Sequence, residues 1–219
     1  MRIETDRLIL RNYKMLDLVD YVQLMTQEKV ANRAGFSLKT NDRLLVELKD
    51  ETENELKFAI VLKETEKVIG EIGFNSLSAK TKELYGINKN GIVREVEFCL
   101  SEKYWDKGYM TEALQALVKV GFEKLSLDTI VGARFSKNEA CKKVQIKCGL
   151  IPYKTDPNHV WRETGETCKV MLAKITKEQY KHIEKYKKLN IKVFDENPYT
   201  ETMEEIDKII NSSTDIKEL

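Results

Sequence analysis

No stretch of this 219-residue chain is apolar for more than a handful of residues, far short of the roughly 20 that cross a bilayer. The N-terminus also lacks a signal-peptide pattern, so a soluble, cytoplasmic protein outside any membrane is expected. A surplus of one charge is missing too: 37 Lys plus Arg stand against 36 Asp plus Glu, in no long single-sign block. That argues against direct nucleic-acid binding, which needs a basic stripe. Cys99, Cys141, Cys148 and Cys168 form no C-x-x-C pair, and His159 and His182 complete no metal-ligand spacing with them. Reduced, mostly buried thiols and no metal are therefore expected. There is no internal repeat or low-complexity segment. The length exceeds the usual domain yet is short for two, which suggests one domain with an appendage.

What is present is a change of period between Glu95 and Ala113. Val96, Phe98 and Leu100 alternate with Glu95, Glu97 and Cys99, as in a strand with two unlike faces. From Met110 the apolar residues fall at Met110, Ala113, Leu114, Leu117 and Val118, the spacing of a helix with one buried stripe. In the loop between, Gly108 accepts backbone angles that side chains forbid. Asp106, Lys107, Tyr109, Met110 and Thr111 would present backbone N–H groups at the helix start, where the dipole is positive. Such a site suits an anion, most simply a phosphate, although an ordinary strand-to-helix turn has the same pattern.

The rest of the chain reads as alternating strands and helices. A strand at Arg7–Arg11 leads to a helix from about Asp17. A turn-like link over 31–36 precedes a helix over 41–53, and these early helices are expected beside a cleft rather than against a sheet. Lys57–Leu62 and Val68–Phe74 form a hairpin pattern, residues 76–91 look irregular, and Thr129–Arg134 is another strand. Asn138 is a good N-cap for a helix that Gly149 stops, and strands follow near 150–154 and 167–173. After Thr176 the composition shifts to two amphipathic segments, 177–188 and 203–210.

Three local sequences carry a family resemblance. Arg7-Leu-Ile-Leu-Arg11 is similar to the opening strand of RimJ/RimL-like GNAT acetyltransferases. Trp105-Asp-Lys-Gly-Tyr-Met-Thr-Glu-Ala113 resembles that branch's Trp-Gly-Lys-Gly-Tyr-Ala-Thr-Glu-Ala loop, and Asn138 to Leu150 resembles its Asn-x-x-Ser helix ending in Lys-Cys-Gly-Phe. The resemblance implies an α+β GNAT (acyl-CoA N-acyltransferase) fold, a mixed, mostly antiparallel sheet flanked by helices. The domain would span residues 1–175, with a C-terminal helical extension over 176–219 that leaves a homodimer open.

The resemblance also implies an acetyl-CoA-dependent N-acetyltransferase, with the pyrophosphate on the amides near Trp105 to Thr111. The cofactor arm would lie along a bulged strand at Phe98, Cys99 and Leu100, and the Asn138 side chain would bond it. The acceptor would be a primary amine, most simply a ribosomal-type protein N-terminus; a polyamine or aminoglycoside, or an acyl-CoA-binding module without turnover, are the alternatives. The attacking amine must lose a proton, and Glu97 and Glu95, two apart on one strand face, are the candidate bases or amine ligands. Three residues depart from the branch pattern. Asp106 stands in place of Gly, Met110 in place of a small residue, and Gln145 occupies the position where many members carry a Tyr. The general acid is therefore unassigned.

Overall fold

Alternating burial makes the N-terminus a hairpin. Ile3, Leu8 and Leu10 are fully buried; they sit on β1 (Arg2–Glu4) and β2 (Leu8–Arg11), antiparallel with Ile3 opposite Leu10. The computed structural model describes residues 1–88, 90–160, 165 and 167–195. Only the second of these strands was legible, since three residues are too few to display a period. α1 (Leu18–Met25) follows and buries Leu18, Tyr21, Val22, Leu24 and Met25. The link expected as a turn is largely the end of α2 (Glu28–Ala34), which buries only Val30 and Ala31 and so shows no apolar stripe. α3 (Asn41–Thr52) lies where its Leu44 and Leu48 placed it.

β3 (Lys57–Leu62) and β4 (Val68–Ser76) form the expected hairpin. Beyond it the connection read as irregular contains α4 (Ala79–Tyr85), capped by the Ser78 side chain and burying only Tyr85. The change of period then appears as β5 (Val93–Leu100) and α5 (Tyr109–Glu123), followed by β6 (Thr129–Phe135) and α6 (Glu139–Lys147). β7 (Ile151–Val160) and β8 (Thr167–Thr176) run longer than the sequence suggested. The segment after Thr176 is two short helices, α7 (Lys177–Lys181) and α8 (Glu184–Lys188), then β9 (Lys192–Phe194), which was not foreseen. Tyr180 and Tyr186 carry the two helices onto the main core, and β9 pairs with β1. The helix expected at 203–210 lies outside the described residues.

The nine strands among the described residues join one sheet in the order β7-β8-β6-β5-β4-β3-β2-β1-β9. Every pairing among them is antiparallel except β5 with β6. This is the mixed, mostly antiparallel α+β sheet that the resemblance implied. α5 covers one face through Ala113, Leu114, Ala116, Leu117 and Val118, all fully buried. Each buried leucine or valine there contributes roughly 1.5–3 kcal/mol. On the other face α1, α2 and α3 pack on Ala59, Val61, Val68 and Cys99, against the sheet rather than beside a cleft as expected. A separate cluster of Tyr85, Ile87, Val93, Val131, Val170 and Leu172 occupies the far end of that face. Cys99, Cys141, Cys148 and Cys168 form no disulfide, and burial pushes the Cys141 and Cys148 thiols up to about 12, which leaves those two little thiolate character.

One carboxylate fastens α5 to the N-terminal hairpin. Glu112 Oε1 accepts from the Thr5 hydroxyl at 2.6 Å and the Arg7 amide at 2.9 Å, and Oε2 accepts from Arg7 Nε at 2.7 Å. Being in the first turn of α5, Glu112 also lies favourably in the helix dipole. Glu112→Ala is expected to lower unfolding stability by about 2 kcal/mol, since it removes three hydrogen bonds to a mostly covered carboxylate. Chemical denaturation of both proteins measures this, and Glu112→Gln should recover part of the loss.

Candidate active site

β5 and β6 lie side by side only where Val93, Arg94 and Glu95 face Thr129, Ile130 and Val131. Past that point β5 continues on β4 alone and β6 on β8 alone. The edge of β5 from Val96 to Leu100 and the facing edge of β6 from Gly132 to Phe135 therefore border a wedge without a strand between them. Strand N–H and C=O groups left this way require other partners, and an extended chain bearing amides would supply them. The bulge expected in β5 is not there: its pairing with β4 runs unshifted from Leu100 opposite Gly70 to Arg94 opposite Ser76. Divergence of β6 opens the gap instead. Phe98 and Leu100 face α5, while Cys99 belongs to the opposite face.

At the wide end of the wedge, residues 101–108 turn the chain into α5. Trp105 anchors this loop by donating its indole N–H to the Leu100 carbonyl at 2.6 Å. Gly108 is the N-cap residue with φ 81°, a left-handed conformation that only glycine adopts freely. The amides of Tyr109, Met110 and Thr111 then begin the helix, and a helix leaves its first N–H groups without intrahelical acceptors. Met110, which stands where the branch has a small residue, turns its side chain into the core and so does not crowd the helix start. Asp106 has φ 59° and is exposed. The position thus demands the left-handed backbone that glycine would supply, and Asp is among the residues that tolerate it.

Arg7 was not legible as part of this site. Its Nη1 donates to the Lys107 carbonyl at 3.1 Å, its guanidinium lies 4.5 Å from the Tyr109 ring centroid, and Nη2 is 3.5 Å from where a Cβ on Gly108 would be. With Lys107, whose ammonium lies 5.6 Å from the Tyr104 ring centre, it brings two cationic groups to the helix start, where Glu112 pairs with Arg7 and Asp106 is exposed. A diphosphate fits this donor set. The only sequence signal was an arginine beginning a strand a hundred residues away.

Glu95 and Glu97 share the face of β5 opposite α5, between Val93 of one cluster and Cys99 of another. Tyr85 donates its hydroxyl to Glu95 Oε1 at 3.4 Å. Burial and the Glu95 charge push the Tyr153 phenol up to about 12 and raise Tyr85 as well. Glu97 is exposed and carries no hydrogen bond or ion pair among the described residues. Next to Cys99 in register is Glu71, which accepts from the Tyr13 hydroxyl at 3.2 Å and pairs with Lys57 at 3.4 Å. Burial raises the Glu71 carboxyl above its ordinary range, opposed by Lys57.

Asn138 stands across the wedge from the loop with its side chain committed. Oδ1 caps α6 by accepting from the Cys141 amide at 3.0 Å, and Nδ2 donates to the Arg33 carbonyl at 3.1 Å. The Arg33 guanidinium in turn covers the Trp105 ring at 3.8 Å, so the end of α2 joins the two sides of the opening. Among the described residues no cluster of His, Cys, Asp and Glu could hold a metal, and no helix is long and apolar enough to cross a membrane.

Comparison with known proteins agrees with this layout. The acetyltransferase (GNAT) domain model matches residues 7–151. The uncharacterized N-acetyltransferase p20 of Bacillus licheniformis is 30% identical over 132 residues, 58% of this chain and 68% of that protein. Among solved structures, the ribosomal-protein-S5-alanine acetyltransferase of Vibrio fischeri has a TM-score of 0.63 at 18% identity, covering 81% of this chain and 97% of the other. The spermidine N-acetyltransferase of Vibrio cholerae, solved with CoA and spermine, has a TM-score of 0.65 at 14% identity, covering 81% and 100%. Structures named for two acceptor classes thus lie at nearly the same structural distance, and the fold does not choose between them.

Asp106→Gly is expected to tighten CoA binding severalfold, by removing a carboxylate from the anion site, and to raise stability by about 1 kcal/mol through relief of the left-handed backbone. Calorimetric titration with CoA and thermal melting check the two effects separately.

Proposed function

Because the chain belongs to the GNAT acetyltransferase family, we propose that it transfers the acetyl group of acetyl-CoA to a primary amine, most simply the N-terminal amine of a protein. The observation that supports this reading is the wedge between β5 and β6, with the start of α5, Arg7 and Lys107 at its wide end and two carboxylates on the opposite sheet face. Acetyl-CoA supplies an activated thioester. In this reading residues 1–175 form the catalytic domain, and the described part of the extension braces α5 through Tyr180 and Tyr186.

The amides from Asp106 to Thr111, with Arg7 and Lys107, hold the diphosphate in place. The wedge edge at Phe98, Cys99 and Leu100 hydrogen-bonds the arm and aligns the thioester, and one of its N–H groups stabilises the developing oxyanion. Asn138 can bond the arm while keeping its present partners, since its Nδ2 retains a second N–H beyond the one given to the Arg33 carbonyl and its Oδ1 a second lone pair. Glu97, exposed and uncommitted, takes the proton that the attacking amine must lose, directly or through one water. Glu95, held by Tyr85, positions the ammonium form of the incoming acceptor.

A small polyamine is the second reading, favoured by the grouping of Glu95 and Glu97 with Tyr85 and Tyr153, since carboxylates and aromatic faces both attract organic cations. Thiol release from acetyl-CoA across a panel of N-terminal peptides, polyamines and aminoglycosides separates the two. Release with peptides alone supports the protein acceptor; release with polyamines alone replaces it. With the acceptor so found, Glu97→Gln should lower kcat/KM by about 100-fold while CoA affinity stays unchanged. Retention of full activity across the pH range would remove Glu97 from the role of base.

A further inference from the structure

A buried cation normally lies against a buried anion, and one in this protein does not. Arg134, in β6, is 6% exposed. Its Nη1 donates to the carbonyls of Phe135 and Ser136, each at 3.3 Å, and its Nε is buried without a hydrogen-bond partner. Among the described residues no carboxylate pairs with it. The other largely buried arginine near the sheet, Arg11, by contrast holds Asp17 through two bonds of 2.7 Å. A guanidinium withdrawn from water onto backbone carbonyls alone costs stability. An anion brought by a ligand would remove that cost.

The guanidinium stands at the wide end of the wedge. Gly132, two residues earlier on the same strand face, abuts Gln145 of α6, so Arg134 lies on the face that α5 and α6 cover. The carbonyls it bonds belong to the last residue of β6 and to the next one, and the Phe135 carbonyl also takes the Asn138 amide at the start of α6. Nη2 has no hydrogen bond and, unlike Nε, is not sealed from solvent. The side chain is thus held by Nη1 and offers Nη2 at the end of the strand. β5 and β6 are parallel, so each hands the chain to its helix at this same end. The start of α5, with Arg7 and Lys107, makes one bank of the opening, and Arg134 with the start of α6 makes the other. The carboxylates on these banks are Asp106, which is exposed, Glu112, which pairs with Arg7, and Glu139, which pairs with Lys142 at 3.1 Å. None of them bonds Arg134.

We propose that Arg134 binds a phosphate of CoA, meeting from the β6 bank the anion that the start of α5 holds from the β5 bank. The proposal rests on the acetyl-CoA reading above. No bond is made or broken at this residue. A guanidinium stays charged at every working pH and presents paired N–H donors that suit phosphate oxygens. The cofactor supplies the missing counter-charge, so Arg134 is unfavourable in the empty protein and favourable in the loaded one. Because the ligand then touches both banks, filling the site ties β6 to β5 where their own pairing has ended.

The test is calorimetric titration of the full chain with CoA and with dephospho-CoA, which lacks the ribose phosphate and keeps the diphosphate. Arg134→Met, uncharged and of similar reach, should bind CoA at least about tenfold more weakly than the wild type, the value of a hydrogen bond to a charged group. Its melting temperature without ligand should be equal or higher, because the uncompensated charge is gone. Arg134→Gln should behave alike, so the question does not depend on one variant folding, and Arg134→Lys should recover part of the affinity. An equal loss with dephospho-CoA assigns the contact to the diphosphate, and a loss confined to CoA assigns it to the ribose phosphate. Wild-type affinity for CoA in either uncharged variant overturns the role. So does a loss of affinity accompanied by a lower melting temperature without ligand, which makes Arg134 a support of the strand end only. Binding of neither compound by the wild type overturns the acetyl-CoA reading itself, a result distinct from the others.

Discussion

Two parallel strands that pair for three residues and then part are the constraint on which the site depends. A sheet interior satisfies its own backbone, whereas diverging strands leave two rows of peptide groups without a strand between them. Each strand keeps a second neighbour, β4 for one and β8 for the other, so the opening costs only the inner ladder and the sheet stays continuous. An extended ligand with its own amides can restore what the divergence removes. The order of the elements follows from the same requirement, since a parallel pair needs a crossover and α5 supplies it. That crossover helix starts at the wide end of the wedge, with its positive terminus beside the opening.

Charge around that terminus is arranged in two layers. Glu112 faces back toward Thr5 and Arg7 and fixes α5 to the hairpin, while Arg7 extends past it to the Lys107 carbonyl and the loop. One arginine therefore serves both the packing of the helix and the electrostatics of the loop. Without the carboxylate, the guanidinium would lose the partner that orients it. The loop itself is held by Trp105 on the Leu100 carbonyl, which joins the end of the strand to the start of the helix.

The two faces of β5 have different work to do because alternation divides them. Val96, Phe98 and Leu100 pack toward α5, and Glu95 and Glu97 look into the interval between two apolar clusters that never merge. A carboxylate pair survives there because the clusters stop short of each other. Tyr85 hydrogen-bonds one carboxylate, and the other is exposed.

Much of this was legible in the chain itself. Period alone located β5, α5 and the hairpin of β3 and β4, because long elements with one buried face repeat their pattern several times. The glycine at the helix start and the two glutamates on one strand face could also be read directly, since neighbours in sequence within one element have fixed relative directions. Elements that bury one or two residues could not be read: α2 and α4 lack a stripe, and β1 and β9 are three residues each. Tertiary structure alone brought Arg7 to Gly108, Asn138 to Arg33 and Gln145 to Gly132, and it alone opened β6 from β5. Those contacts join residues far apart in the chain, and side chains so separated share a site only through the packing of the whole sheet.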